Sequence, residues 1–135
     1  MATAAWKENA FNELAEIQLL PENWDGYGTP AMPPTLVEKM WALVQSLPDE
    51  LAGETPAPHI YPACDGLQIE WNGDGRGLEI ILETDCEASY VLEYTRHYES
   101  KYESDTVDIT DLPAVLKLFE RAFANPHQAA IVGGR

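Results

Sequence analysis

Two short runs, "LQIEW" at 67–71 and "LEIILE" at 78–83, alternate apolar residues with polar or acidic ones. A period of two fits a strand buried on one face and does not fit a helix. Leu67, Ile69 and Trp71 share one side, with Gln68 and Glu70 on the other. Leu78, Ile80 and Leu82 repeat the pattern against Glu79 and Glu83. The joining "NGDGRG" is dense in glycine, which supplies the positive φ of tight hairpin turns. An antiparallel hairpin with Trp71 near Leu78 is therefore predicted. A calcium loop over the same residues fails, because Asn72 takes its first position and Arg76 would aim a cation at the metal.

Around this hairpin the chain offers further strands. "ASYVLEYT" sets Tyr90, Leu92 and Tyr94 on one face, with strand expected at least through Arg96. "HIYPAC" is a short extended run, "TVDI" a further short strand, and "YESKYES" a hairpin tip or loop. Tyr90, Tyr94, Tyr98 and Tyr102 recur every four residues, a spacing compatible with strand and with helix.

A sheet with one apolar face needs cover. Trp6, Ala10, Leu14 and Ile17, flanked by Phe11, form a helical stripe between Thr3 and Pro21. Leu36, Met40, Leu43, Val44 and Leu47 form a second one between Pro33–Pro34 and Pro48. Leu112, Val115, Leu116, Phe119 and Phe123 form a third, capped by Thr110 or Asp111 and ended by Asn125–Pro126. With 135 residues the chain is sized for one domain. The expectation is a two-layer α+β domain over residues 1–125, with a C-terminal tail at 126–135. It would hold an antiparallel meander of three to four strands with about three helices on one face.

Charge narrows the partners. The formal net charge is −15, which repels DNA, RNA and anionic membranes and favours a basic protein surface. No apolar run is long enough for a bilayer, and "MATAAWKENAF" lacks the features of a signal peptide. Cys64 and Cys86 suit free thiols in a reducing cytoplasm rather than a disulfide framework. Direct nucleic-acid and membrane binding are not expected.

Motifs for catalysis are scarce. His59, His97 and His127 lie in separate segments without metal-ligand spacing. There is no G-x-S-x-G, no Gly-rich phosphate loop followed by Lys and no C-x-x-C, so no metal or cofactor is implied. The unusual loop is "LPENWDGYGTP", which joins the first two helices. Asp25 before Gly26 suits a turn in which the carboxylate accepts local N–H groups. Trp24 and Tyr27 are large enough to anchor the loop, with Trp24 largely buried, and Gly28 allows a close approach to the second helix. The loop reads mainly as a plug; the rival reading is a pocket rim with Asp25 as acid or base.

"LPENWDGYGTPAMPP" followed by "DGLQIEW" and "LEIIL" resembles a family of small, uncharacterised bacterial proteins. They share an LP-x-x-WDGYGA-type loop and a DG-x-x-x-EW hairpin. The resemblance spans roughly residues 14–94, with Thr29 in the place of an alanine. It marks Trp24, Asp25, Gly26, Tyr27 and Gly28 as signature positions and carries no activity with it.

Between Asp65 and Asp111 stand thirteen Asp or Glu against Arg76, Arg96 and Lys101, a net of −10. In the meander, Glu70, Glu79, Glu83 and Glu93 all face away from the core, with Tyr98 and Tyr102 nearby. One reading is a solvated face that resists aggregation. The other is a partner-binding surface, favoured by the tyrosines. The sequence thus favours a non-catalytic acidic interaction protein of bacterial or phage origin, inhibitor- or antitoxin-like, docking on a basic surface that otherwise binds nucleic acid. The alternatives are a small hydrolase-like enzyme gathering Asp25, His59 and Glu70 in one pocket, or a structural subunit of a larger assembly.

Overall fold

The structure is a computed structural model describing residues 4–51, 53, 55–63, 66–73, 75–83, 87–96 and 99–123. Its elements run α1 (Ala5–Gln18), α2 (Pro34–Ser46), β1 (His59–Ala63), β2 (Gly66–Gly73), β3 (Arg76–Glu83), β4 (Ala88–Arg96), β5 (Glu99–Thr106) and α3 (Leu112–Phe123). All five strands pair antiparallel with their chain neighbours, in the order β1-β2-β3-β4-β5. The fold is α+β with a meander, as expected, but the meander has five strands rather than three or four.

The additional pairing lies in the polar run. "ESKYESDT" forms β5, and "TVDI" adds no strand of its own, since Thr106 ends β5 and Ile109 sits in a turn. β5 has no apolar face to announce it. Its inward residues oppose Tyr90, Leu92 and Tyr94 with Asp105, Glu103 and Lys101. Glu103 accepts a 2.7 Å hydrogen bond from the Tyr90 hydroxyl and is also paired with Arg121 of α3. Those two partners hold its carboxyl down to about 2. Charge thus ties the edge strand to the helix layer where apolar packing cannot.

Trp71 lies opposite Leu78, as the alternation required. Leu67, Ile69, Trp71, Leu78, Ile80 and Leu82 are fully buried beneath the helices. Phe119 of α3 meets Trp71 edge-on with ring centroids 4.6 Å apart. The Trp71 Nε1 has no hydrogen-bond acceptor among the described residues. Gly66 is fixed by space, because a Cβ there would stand 1.8 Å from the Leu82 carbonyl oxygen. That close approach gives Gly66, the first residue of β2, a packing role.

The helix stripes bury much as the sequence implies, with two amendments. The N-cap of α1 is Ala4, without a side-chain cap, and Thr3 lies outside the described residues. Asp111 caps α3, accepting from the Ala114 N–H at 3.2 Å. The second amendment is Lys7, which joins Ala10, Leu14 and Ile17 on the buried face of α1. Its ammonium donates to the carbonyls of Gln45 and Leu47 at the C-terminal end of α2 and lies 3.3 Å from Asp49 Oδ1. A cation there satisfies carbonyls left without helical partners and complements the negative end of the helix dipole. Trp6 adds a 2.8 Å hydrogen bond to the Asp49 carbonyl, and Phe11 stacks on Trp41.

Replacing Lys7 by Met keeps the apolar stem and strands those carbonyls, so it should cost about 1–3 kcal/mol in denaturant unfolding. A Lys7→Met protein as stable as wild type would show that the α2 terminus needs no cation.

Candidate functional site

Because the helices cover one face, the other is open, and register decides which residues meet there. One row across the sheet reads His59, Glu70, Glu79, Val91, Ser104. The row on one side reads Asn72, Gly77, Glu93, Tyr102, and on the other Tyr61, Gln68, Ile81, Ser89, Thr106. Glu70 and Glu79 are thus direct cross-strand partners, and Glu93 sits diagonal to Glu79. All three are half-buried. Glu83 faces the same way but pairs with Gly66 near the sheet's end. Four residues along the strand, it is roughly 13 Å from Glu79, beyond a physiological Debye length.

Two tyrosines bracket the carboxylates. The Tyr61 hydroxyl donates to Glu70 Oε2 at 2.8 Å and accepts from Gln68 Nε2 at 2.7 Å. Partial burial and the Glu70 carboxylate push it up to about 12. Tyr102, 68% exposed, donates to Glu93 Oε2 at 3.3 Å. The Glu93 charge beside it raises its pKa. Glu79 has no such hydroxyl. Partial burial, followed by its hydrogen bond with Glu70 and the Glu70 and Glu93 charges, raises its pKa above the ordinary 4.5. Like charges set side by side hold a proton between them. Sequence reasoning missed Tyr61, because the register of β1 is not written in "HIYPAC". Tyr98 lies outside the described residues, as do Cys64, Cys86, His97 and His127.

The signature loop is held together by its own side chains. Asp25 Oδ1 accepts from the Tyr27 N–H at 2.9 Å and the Thr29 N–H at 3.4 Å, and the Thr29 hydroxyl donates to its other oxygen. These bonds hold the carboxyl below its ordinary value. Asn23 closes the loop, taking the Gly28 N–H on its side chain at 2.6 Å while its own N–H reaches the Thr29 carbonyl at 2.7 Å. Gly26 and Gly28 adopt φ of +79° and +83° with open space around them, so backbone conformation rather than close approach to α2 calls for glycine. Trp24 is half-buried and stands apart from the core cluster, and Tyr27 is 91% exposed. The loop is a self-bonded knuckle on the surface in which Trp24 is half-buried and Tyr27 exposed.

The alternative catalytic grouping does not assemble. Every group that shifts Asp25 belongs to its own loop. His59 and Glu70 are register neighbours, but the His59 side chain is 78% exposed and lies 3.9 Å from Glu13 of α1. Among the described residues no three His, Cys, Asp or Glu side chains gather as a metal set, and no helix is long and apolar enough to cross a membrane.

Comparison with protein-family models, with curated proteins and with solved structures finds no match to this chain.

Glu79 supplies a pH signature. A carboxyl whose folded pKa is raised binds its proton more tightly in the folded state, so its contribution is most favourable at low pH. That contribution is lost as pH rises from about 4.5 through the folded value. Glu79→Gln should remove that loss and raise the melting temperature at pH 7 by ~1–4 °C. Equal melting temperatures for the two proteins between pH 4 and pH 7 would mean that the pair does not repel.

Proposed function

We propose that the open face of the sheet docks on a basic protein surface, the chain acting as a non-catalytic, inhibitor- or antitoxin-like module in a bacterial or phage-infected cytoplasm. The observation that carries this reading is the direct pairing of Glu70 with Glu79, with Glu93 diagonal to it, on a face the helices leave uncovered. An arrangement that repels itself in the free protein is relieved by a cation from outside. An arginine suits the place best, since its planar fork can bond two carboxylates while its stem lies against Val91 and Ile81. Tyr61 and Tyr102 flank the carboxylates and offer the amphipathic rings typical of interfaces. Glu83, and Tyr98 by its place in the sequence, would extend the field at the margins.

A partner of this kind is a nucleic-acid-binding protein whose phosphate groove the carboxylates fill. Steering by opposite charge makes its association fast at low salt and slower as salt screens the field. The test is capture from the native host by the wild-type chain and by a variant with Glu70, Glu79, Glu83 and Glu93 all changed to Gln. The captured partner should be basic, should be lost by the folded Gln variant, and should associate ~10-fold or more slowly at high salt. Binding indifferent to both salt and the substitutions would move the interaction away from this face.

A further inference from the structure

On the helix side of the sheet lies a cleft of about 720 Å³, between α2 and the segment leading from β5 into α3. It exists because α1 packs on α2, whereas α2 and α3 lean on the sheet and barely meet. Small residues keep the gap open. Ala42 and Ser46, one turn apart on α2, face it together with Ala88 at the start of β4. Val107, Ile109 and Leu112 supply apolar wall from the other side and are only half-buried. A volume of this size suits a small molecule, and its lining is the mixture typical of such sites: apolar walls with a few polar groups.

The polar groups define the ligand's charge. Lys39 lines the cleft one turn before Leu43 on α2. The chain carries 23 acidic residues against 8 basic ones. Lys7 pairs with Asp49, Lys101 with Glu99 and Arg121 with Glu103. Among the described residues Lys39 and Lys117 have no such partner, and of these two only Lys39 lines the cleft. Asp108 lines the same cleft but is turned to its own loop, its Oδ1 accepting from the Thr110 N–H at 2.9 Å and from the Thr110 hydroxyl at 2.6 Å. Asp108 and Glu87 line the cleft as well and repel an anionic head, which leaves Lys39, the one cation among the described residues of its lining, as the seat.

We infer that this cleft binds a small amphipathic monocarboxylate, with its head group on Lys39 and its hydrocarbon body against Val107, Ile109 and Leu112. A single negative charge matches the single lysine. More highly charged head groups, such as phosphates, would meet the −15 of the whole chain with too little compensation. The inference is independent of the docking face, which lies on the opposite side of the sheet.

The test is an amide NMR titration of the full chain with octanoate below its micellar range, with octanol and octylamine as head-group controls. Octanoate should give saturable shifts centred on residues 42–46 and 106–112. Lys39→Met should weaken octanoate by roughly tenfold while leaving octanol unchanged, the loss expected for one charge-assisted hydrogen bond. Ala42→Leu, which fills the gap, should abolish binding of both. The inference is overturned if octanoate shifts are absent or scattered, if octylamine binds as well as octanoate, or if Lys39→Met changes nothing. It is equally overturned if the cleft resonances respond to protein concentration alone, which would make the groove a contact between copies.

Discussion

The register that sets Trp71 opposite Leu78 is the constraint on which the rest of the molecule depends. Side chains alternate with a period of two, so this one pairing sends six large residues of β2 and β3 under the helices. It also sets Glu70 beside Glu79 on the far side. Slipping the pairing by one residue would bury the glutamates and expose Trp71. Gly66 reinforces the register from the far end of the hairpin, since only a residue without a Cβ fits against the Leu82 carbonyl. The acid pair is thus a consequence of the same alternation that builds the core.

Glu103 and Glu79 differ in the company they keep. Glu103, facing the helix layer, has Arg121 and Tyr90, and its carboxyl is held down to about 2. Glu79, facing outward, is partly buried beside Glu70 and Glu93, and burial first and those carboxylates second raise its pKa. With only eight basic residues in the chain, cations stand where the fold needs them: Lys7 beneath the end of α2 and Arg121 across to the edge strand. The outer face is left with tyrosine hydroxyls, which soften Glu70 and Glu93 by hydrogen bonding without neutralising them. A face whose electrostatics improve only when a cation arrives is suited to association with a basic surface.

The parts of this fold legible in the sequence are those governed by apolar periodicity. The hairpin, the three helix stripes and the outward set of glutamates all follow from periods of two and 3.6. β5 did not, because both faces of "ESKYESDT" are polar and its pairing rests on register with β4 and on the Glu103–Arg121 link. Lys7 was invisible for a related reason: a lysine on an apolar stripe reads as an interruption until the carbonyl end of another helix is found beside it. In the signature loop, the Asp-Gly step announces the turn that Asp25 orders. The role of Asn23 and the partial exposure of Trp24 depend on positive-φ geometry and long-range packing that composition does not encode. Tyr61 joined the acidic face only once β1 had a register.

The outer face carries carboxylate repulsion at Glu79 with no cation among the described residues to relieve it, and side-chain carboxyl NMR reads that repulsion residue by residue. Titrating the free protein should give Glu79 a midpoint above the ordinary 4.5, and Glu70→Gln should bring it down. A Glu79 that titrates at the ordinary value, unmoved when Glu70 loses its charge, would mean that the face carries no such repulsion.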